Sequence, residues 1–129
     1  MRPGPPRGAT ATLSVTVDGR GVTGNGDGPA TYTTVPLAED VEQVCRQLVV
    51  PHLEAGEVAV GVRLELLHRA PVPRGEEVTL TATVATVQPT GVTCEVLARH
   101  RGAIVARASF EQRVVTDTAF AAEVAARRG

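Results

Sequence analysis

The sequence is poor in aromatic residues: its 129 residues include no tryptophan, one tyrosine and two phenylalanines. Hydrophobic residues nevertheless make up 43% of the chain, so the core must be built from valine, leucine, alanine and isoleucine. Branching at Cβ stiffens valine and isoleucine and suits them to pleated strands. We therefore expect one domain with a large content of β-structure.

Lysine is absent, and all 13 basic residues are arginine against 14 acidic residues, which gives a formal net charge of -1. This balance creates no overall field that would attract nucleic acid or an anionic membrane, and we predict neither partner. Arginine suits bidentate contact with phosphate, as a coenzyme or a phosphorylated carrier would need. A biased, GC-rich coding background explains the composition more simply.

Cysteine is scarce: Cys45 and Cys94 have neither metal-ligand spacing nor a CxxC arrangement. Both lie in apolar patterns, so we interpret them as small buried hydrophobes. No metal site and no cofactor are predicted. The chain also lacks an apolar run of membrane-spanning length and the apolar centre of a signal peptide, which predicts a cytoplasmic protein.

The composition divides the chain into two parts. Residues 1–9 are rich in proline, glycine and arginine and are predicted to be disordered, whereas 10–129 form the folded domain. Alternation of apolar residues over 11–18 predicts a strand. The glycine-rich stretch 19–30 predicts a long loop, which is either a lid over a binding site or a plain surface connection.

Residues 36–50 have the periodicity of the main helix. Pro36 suits its first turn and Pro51 ends it, while Glu39 and Asp40 would complement the positive end of the helix dipole. One apolar stripe is formed by Leu37, Val41, Val44, Cys45 and Leu48.

Four alternating segments follow the helix and predict antiparallel strands. The first ends at His68, and its predicted shared face consists of Val58, Val60, Val62, Leu64 and Leu66. A terminal helix over 117–128, with Phe120 and Val124 facing inward, completes the chain. The order predicts an α+β fold in which a five-stranded antiparallel sheet wraps around one main helix, although the pattern alone also allows other α+β folds.

Three residues are candidates for chemistry. His68 ends an apolar strand, Glu42 lies beside the apolar stripe of the helix, and Thr34 stands at the helix start. Each also has a structural interpretation: a strand-end histidine, an exposed helical glutamate, and a helix cap that Thr33 could supply instead. Taken singly, these residues do not identify a site.

From Thr34 to Arg113 the sequence resembles the fluoroacetyl-CoA thioesterase-like family of hot-dog proteins. Residues 42–57 are similar to that family's E-x-x-C…P-Y-L-E-P-G-E stretch, and 67–75 to its T-H-x-A-x-x-P-x-G stretch. In the family a threonine precedes the helix glutamate by eight positions and a histidine follows it by 26. Those intervals separate Thr34, Glu42 and His68 here.

The resemblance implies a hot-dog fold and a thioesterase whose site lies at a homodimer interface. It implies that His68 acts as general acid and base, that Glu42 attacks the carbonyl or activates water, and that Thr34 orients the pair. The backbone N–H of Gly61 would stabilise the oxyanion, because a residue without Cβ allows close approach. Arginines that would contact coenzyme A phosphates are Arg113, Arg69 and Arg74.

One position departs from the family pattern. Fluoroacetyl-specific members have a phenylalanine in a lid ahead of the threonine, where this chain has Gly28. We therefore expect a small or medium acyl group, carried by coenzyme A or by an acyl-carrier protein, rather than a fluorinated one in particular. The alternatives are a non-catalytic acyl-CoA-binding module that uses the same pocket and a hot-dog dehydratase or hydratase, whose usual histidine motif is not found here.

Overall fold

The computed structural model describes residues 1–19, 22–23 and 30–129. Its elements in chain order are β1 (Thr10–Thr16), β2 (Val22–Thr23), β3 (Thr31–Tyr32), α1 (Thr34–Val49), a 3-10 turn (Val50–His52), β4 (Glu57–His68), β5 (Glu77–Gln88), β6 (Gly91–His100), β7 (Ala103–Thr116) and α2 (Asp117–Arg127). The predicted α+β class is confirmed, with two helices. Gly28 lies outside the described residues.

Five strands form one antiparallel sheet in the order β1-β5-β6-β7-β4, and β2 pairs with β3 in a small separate sheet. Alternate residues of the central strands are buried on the face that packs against α1, as the period-two patterns predict. Members of this buried face include Val78, Leu80, Ala82, Val84, Val92, Cys94 and Val96. The sheet therefore curves around α1, as expected for a hot-dog fold.

The main helix α1 begins two residues earlier than predicted, with Pro36 in its first turn, and ends at Val49. Its predicted apolar stripe is confirmed: Leu37, Val41, Val44 and Cys45 have no exposed surface and Leu48 is 8% exposed. Burial of this stripe against the sheet is the main contact that holds α1.

Strand β4 contains a β-bulge, where its register with β7 shifts between Gly61 and Arg63. Directly opposed residues of an antiparallel pair lie on the same face. Before the bulge, Ala59 and Gly61 of β4 lie opposite Val114 and Gln112 of β7, whose side chains are buried under α1. After the bulge, the residues of β4 on the face toward α1 are Leu64, Leu66 and His68. Their partners in β7 are Phe110, Ala108 and Ala106, in that order.

The prediction that one face of β4 carries five apolar side chains is therefore wrong. Val58 and Val60 lie on the face away from α1, whereas Leu64 lies on the face toward it. The extra residue of the bulge reverses the alternation halfway along the strand. Its consequence for the site is that His68 faces α1.

Two terminal predictions also need correction. Residues 1–9 pack on the sheet instead of being disordered: the Met1 side chain is 8% exposed, and the Gly8 N–H donates to the Val84 carbonyl at 2.9 Å. The segment holds its place because its polar groups find partners on β5. In α2, whose residues are all described, none is buried, and Val124 is 40% exposed rather than inward.

Candidate active site

An open cleft of about 380 Å³ lies where β3, the start of α1 and the end of β4 meet. It is lined by Thr31, Tyr32, Thr33, Thr34, His68, Arg69, Ala70 and Pro71. Three residues singled out from the sequence therefore share one cavity: Thr34, His68 and Arg69.

Thr34 is exposed in the first turn of α1 and is not the helix cap. Thr33 occupies the cap position, and within the described residues its side chain makes no capping hydrogen bond to the helix. The structural interpretation of Thr34 as a cap is therefore wrong. Its side chain stands at the mouth of the cleft, on the positive end of the helix dipole.

His68 is half-buried, and its ring faces α1. The Nε2 atom is buried and has no hydrogen-bond partner among the described residues. The Tyr32 ring meets the imidazole edge-on, with ring centroids 6.4 Å apart and planes at 75°. The Tyr32 ring is therefore a packing partner of the imidazole, whose Nε2 atom has no described hydrogen bond.

Glu42 is exposed and is not among the described residues that line the cleft. It lies eight residues beyond Thr34, or about 12 Å along the helix axis. One turn further on, Arg46 Nη1 donates to the carbonyl of Ala59 in β4 at 3.2 Å. This contact places the Arg46 side of α1 beside β4. The chain therefore unites Thr34 and His68 in one cleft whose described lining does not include Glu42.

Gly61 lies at the bulge of β4, opposite Gln112. A Cβ on Gly61 would lie 2.8 Å from Cζ of Phe110, closer than real side chains approach. The missing side chain therefore makes room for the Phe110 ring under α1, which is a packing role that the sequence did not suggest.

The substitution Gly61→Ala is expected to destabilise the fold by about 1–3 kcal/mol, because the added methyl group overpacks against Phe110. Urea unfolding of the variant measures this loss. The double variant Gly61→Ala/Phe110→Leu should recover part of it, since leucine leaves the methyl group more room. A single variant as stable as the parent would contradict this packing argument.

The three candidate arginines occupy different places. Arg69 lines the cleft, and exposed Arg74 follows it on the same loop, where its backbone N–H donates to the carbonyl of Ala30 at 3.2 Å. Arg113 lies on the outer face of β7 and pairs with Glu123 Oε1 at 3.5 Å. It is opposite Val60, which is about 26 Å along β4 from His68. Arg113 is therefore not brought to the cleft of its own chain.

A buried pair that the sequence did not predict adjoins the cleft. The Tyr32 hydroxyl donates to Asp40 Oδ2 at 2.5 Å, and the two residues are only 1% and 8% exposed. Burial, followed by the hydrogen bond to Asp40, raises the pKa of Tyr32 above that of an ordinary tyrosine, so the phenol stays protonated. The earlier interpretation of Asp40 as a dipole partner is wrong because its carboxylate faces inward.

Two sequence signals point to this pair in retrospect. Tyr32 is the only tyrosine of the chain, two positions before Thr34. Asp40 stands three residues after Leu37 and four before Val44, which puts it on the buried side of α1.

The remaining titratable groups fit structural roles. Cys45 and Cys94 are free and buried, as predicted, and the contact with Cys94 together with burial raises the pKa of Cys45. His100, at the β6–β7 turn, has Nε2 3.0 Å from Glu76 Oε1.

Within residues 1–19, 22–23 and 30–129, no cluster of potential metal ligands is present, and no helix has the length and apolarity needed to cross a membrane.

The fold matches solved structures over nearly its whole length. Thermus thermophilus protein TTHA0967, a thioesterase superfamily member, superposes with a TM-score of 0.89 at 23% identity, covering 99% of this chain and 96% of that one. A hot-dog-like protein from Thermanaerovibrio acidaminovorans gives 0.89 at 27%, covering 96% and 93%. The fluoroacetyl-CoA thioesterase FlK gives 0.84 at 23%, covering 94% and 96%.

No curated protein matches the chain. The family model described as fluoroacetyl-CoA-specific thioesterase, in contrast, matches residues 14–118, which is most of the sequence. This range includes all of α1 and β4 to β7, together with Thr34, Glu42 and His68. The chain therefore belongs to the fluoroacetyl-CoA-specific thioesterase family and is a thioesterase with the hot-dog fold.

Proposed function

We propose that the protein hydrolyses a small or medium acyl thioester of coenzyme A or of an acyl-carrier protein, in the cleft between β3 and the end of β4. The observation that supports this proposal is that Thr34 and His68 line the same open cavity. A hydroxyl and an imidazole beside one space are groups that acyl transfer needs for orientation and proton movement.

In the proposed reaction, an oxygen nucleophile adds to the thioester carbonyl carbon, and the C–S bond then breaks. Histidine exchanges protons near neutral pH, so His68 accepts the proton of the attacking water and returns a proton to the departing thiolate. The Thr34 hydroxyl orients these groups by hydrogen bonding. Glu42 either orients and polarises the water whose proton His68 accepts, or attacks the carbonyl itself. In the second case a protonated His68 gives its proton to the departing thiolate and regains one from the water that hydrolyses the resulting anhydride, which releases the Glu42 carboxylate.

Because Glu42 is not among the described residues that line the cleft of its own chain, we propose that the working site forms in a homodimer through β4. Among the described strands, none pairs with the outer edge of β4, and this edge exposes large apolar side chains. Val62 is 50% exposed, Leu64 41% and Leu67 58%. An open strand edge with such residues favours association, and a second copy would cover it.

For the carrier, we propose that Arg69 and Arg74 contact phosphate groups at the cleft mouth, since both are exposed on the loop that follows His68. Arg113 would reach a phosphate only from the partner subunit or by leaving Glu123. The related protein FlK is named for fluoroacetyl-CoA, and Gly28 replaces the lid phenylalanine that the fluoroacetyl-specific members carry. We therefore propose an acyl group that is not restricted to fluoroacetyl.

The direct test is a thiol-release assay with acetyl-, fluoroacetyl-, butyryl- and octanoyl-CoA and with the corresponding acyl-carrier proteins. We expect release of free thiol from at least one of these thioesters. Binding of acyl-CoA without release from any of them would overturn the hydrolytic proposal in favour of an acyl-binding module. Dehydration of a 3-hydroxyacyl thioester, without hydrolysis, would overturn it in favour of a dehydratase.

A further inference from the structure

We propose that Tyr32 is a positioning residue for His68, and that the buried hydrogen bond from Tyr32 to Asp40 is what holds it in place. This inference rests on the proposed function, because it concerns the histidine that the reaction would use. Tyr32 and Asp40 would then control the rate of the chemical step through the orientation of His68.

The first support is that Tyr32 is attached at three points. Its backbone N–H donates to the carbonyl of Val72 at 3.0 Å, and its neighbour Thr31 forms an isolated bridge with Pro73. Its hydroxyl donates to Asp40 in α1. Its ring lies edge-on against His68. The backbone of Tyr32 is therefore tied to the loop that follows β4, and its side chain connects the helix with the imidazole.

The second support is the state of the imidazole. Nε2 of His68 is buried and lacks a hydrogen-bond partner in the described part of the chain, so no carboxylate or carbonyl there holds the ring through this atom. An edge-on aromatic contact prefers one geometry and disfavours others. The Tyr32 ring is then the feature that selects the orientation of His68, and it does so only while it is itself held.

The third support is the position of Asp40. A carboxylate on the sheet-facing side of a helix is costly unless it is paired. Asp40 is 8% exposed, and its Oδ2 accepts the Tyr32 hydroxyl at 2.5 Å. An apolar residue would fill this place in α1 at less cost, so we infer that the pair is retained to direct the Tyr32 ring.

The test removes the hydrogen bond while preserving the volume of both side chains. In Tyr32→Phe/Asp40→Leu, both polar partners are replaced by apolar groups of similar shape, which can be nearly neutral for stability. We expect thermal unfolding close to that of the parent, KM within about threefold, and kcat lowered at least about tenfold, because misplacing a reacting group slows the chemical step. Asp40→Asn keeps an acceptor for the phenol and should retain most of the activity.

A second readout does not require turnover. The chain has three histidines, so the imidazole signals in a carbon–proton correlation spectrum are few, and the His68 signals are identified by their absence in His68→Gln. In the double variant we expect the His68 signals to shift or broaden while those of His52 and His100 stay unchanged. Gln47→Ala, an exposed change on the same helix, should alter neither the signals nor the rate.

A double variant with parental kcat and parental His68 signals would overturn the proposal. If that variant does not fold, Tyr32→Phe alone is measured at a temperature where it is folded, under the same criterion. Lost stability that accounts for all the lost activity, with unchanged His68 signals in the folded fraction, would assign the pair a structural role only. If the parent releases no thiol from any thioester, the proposed function fails, and the spectrum alone decides whether Tyr32 positions His68.

Discussion

Replacing His68 with alanine is expected to lower kcat for thioester hydrolysis by about 10²–10⁴-fold, the usual contribution of general acid–base catalysis. His68 lines the cleft at the end of β4, so its removal leaves the core of the sheet intact. Thiol release with the best thioester of the panel measures the effect, and circular dichroism confirms that the fold is retained.

Glu42→Gln should cause a loss of similar size if the carboxylate activates water or attacks the carbonyl, since the amide does neither. Gln43→Ala, an exposed change at the next position of α1, is the matched control and should leave kcat unchanged. Parental rates for both His68→Ala and Glu42→Gln on every thioester that the parent cleaves would rule out the proposed mechanism.

The second large effect is expected at the open edge of β4. Leu64→Arg should raise the dissociation constant of the proposed dimer at least about 100-fold, because pairing of two copies through β4 would bring each new charge close to its symmetry copy, and like charges there cost several kcal/mol. The same variant should lose hydrolysis at concentrations where it is monomeric, since Glu42 and the cleft would no longer be united.

Light scattering across a dilution series measures the assembly state. Val124→Arg makes the same kind of change on an exposed valine of α2 and should remain dimeric and active. A Leu64→Arg protein that stays dimeric at low concentration would refute pairing through β4. A fully active monomer would instead remove the need for a second chain at the site.

The sequence predicted the helix and the five strands well because each has a regular apolar period that burial enforces. It did not predict the bulge at Gly61, because apolar residues occupy both faces of β4 and the reversal leaves no break in the pattern. It also missed the pairing of Tyr32 with Asp40. Those residues are eight positions apart, and only the return of β3 onto the loop after His68 brings the phenol under the helix.

The candidate site was predicted only in part, and the reason is geometric. Spacing and resemblance to a family selected Thr34, Glu42 and His68, but spacing does not tell which of them one chain can bring together. Thr34 and His68 adjoin because the start of α1 faces the end of β4. The third, Glu42, is exposed on α1 and does not line the cleft, and the proposed contact between chains would leave no periodic signal in the sequence of one chain.

Tyr32 also gives the protein a single built-in reporter beside the candidate site. With no tryptophan and a single tyrosine, the chain owes its intrinsic tyrosine emission to one side chain, which is buried beside the cleft. An acyl chain or coenzyme that enters the cleft changes the surroundings of that fluorophore, and no other emitter adds background. Substrate binding can therefore be followed by the protein's own fluorescence, without a label or a reporter substrate.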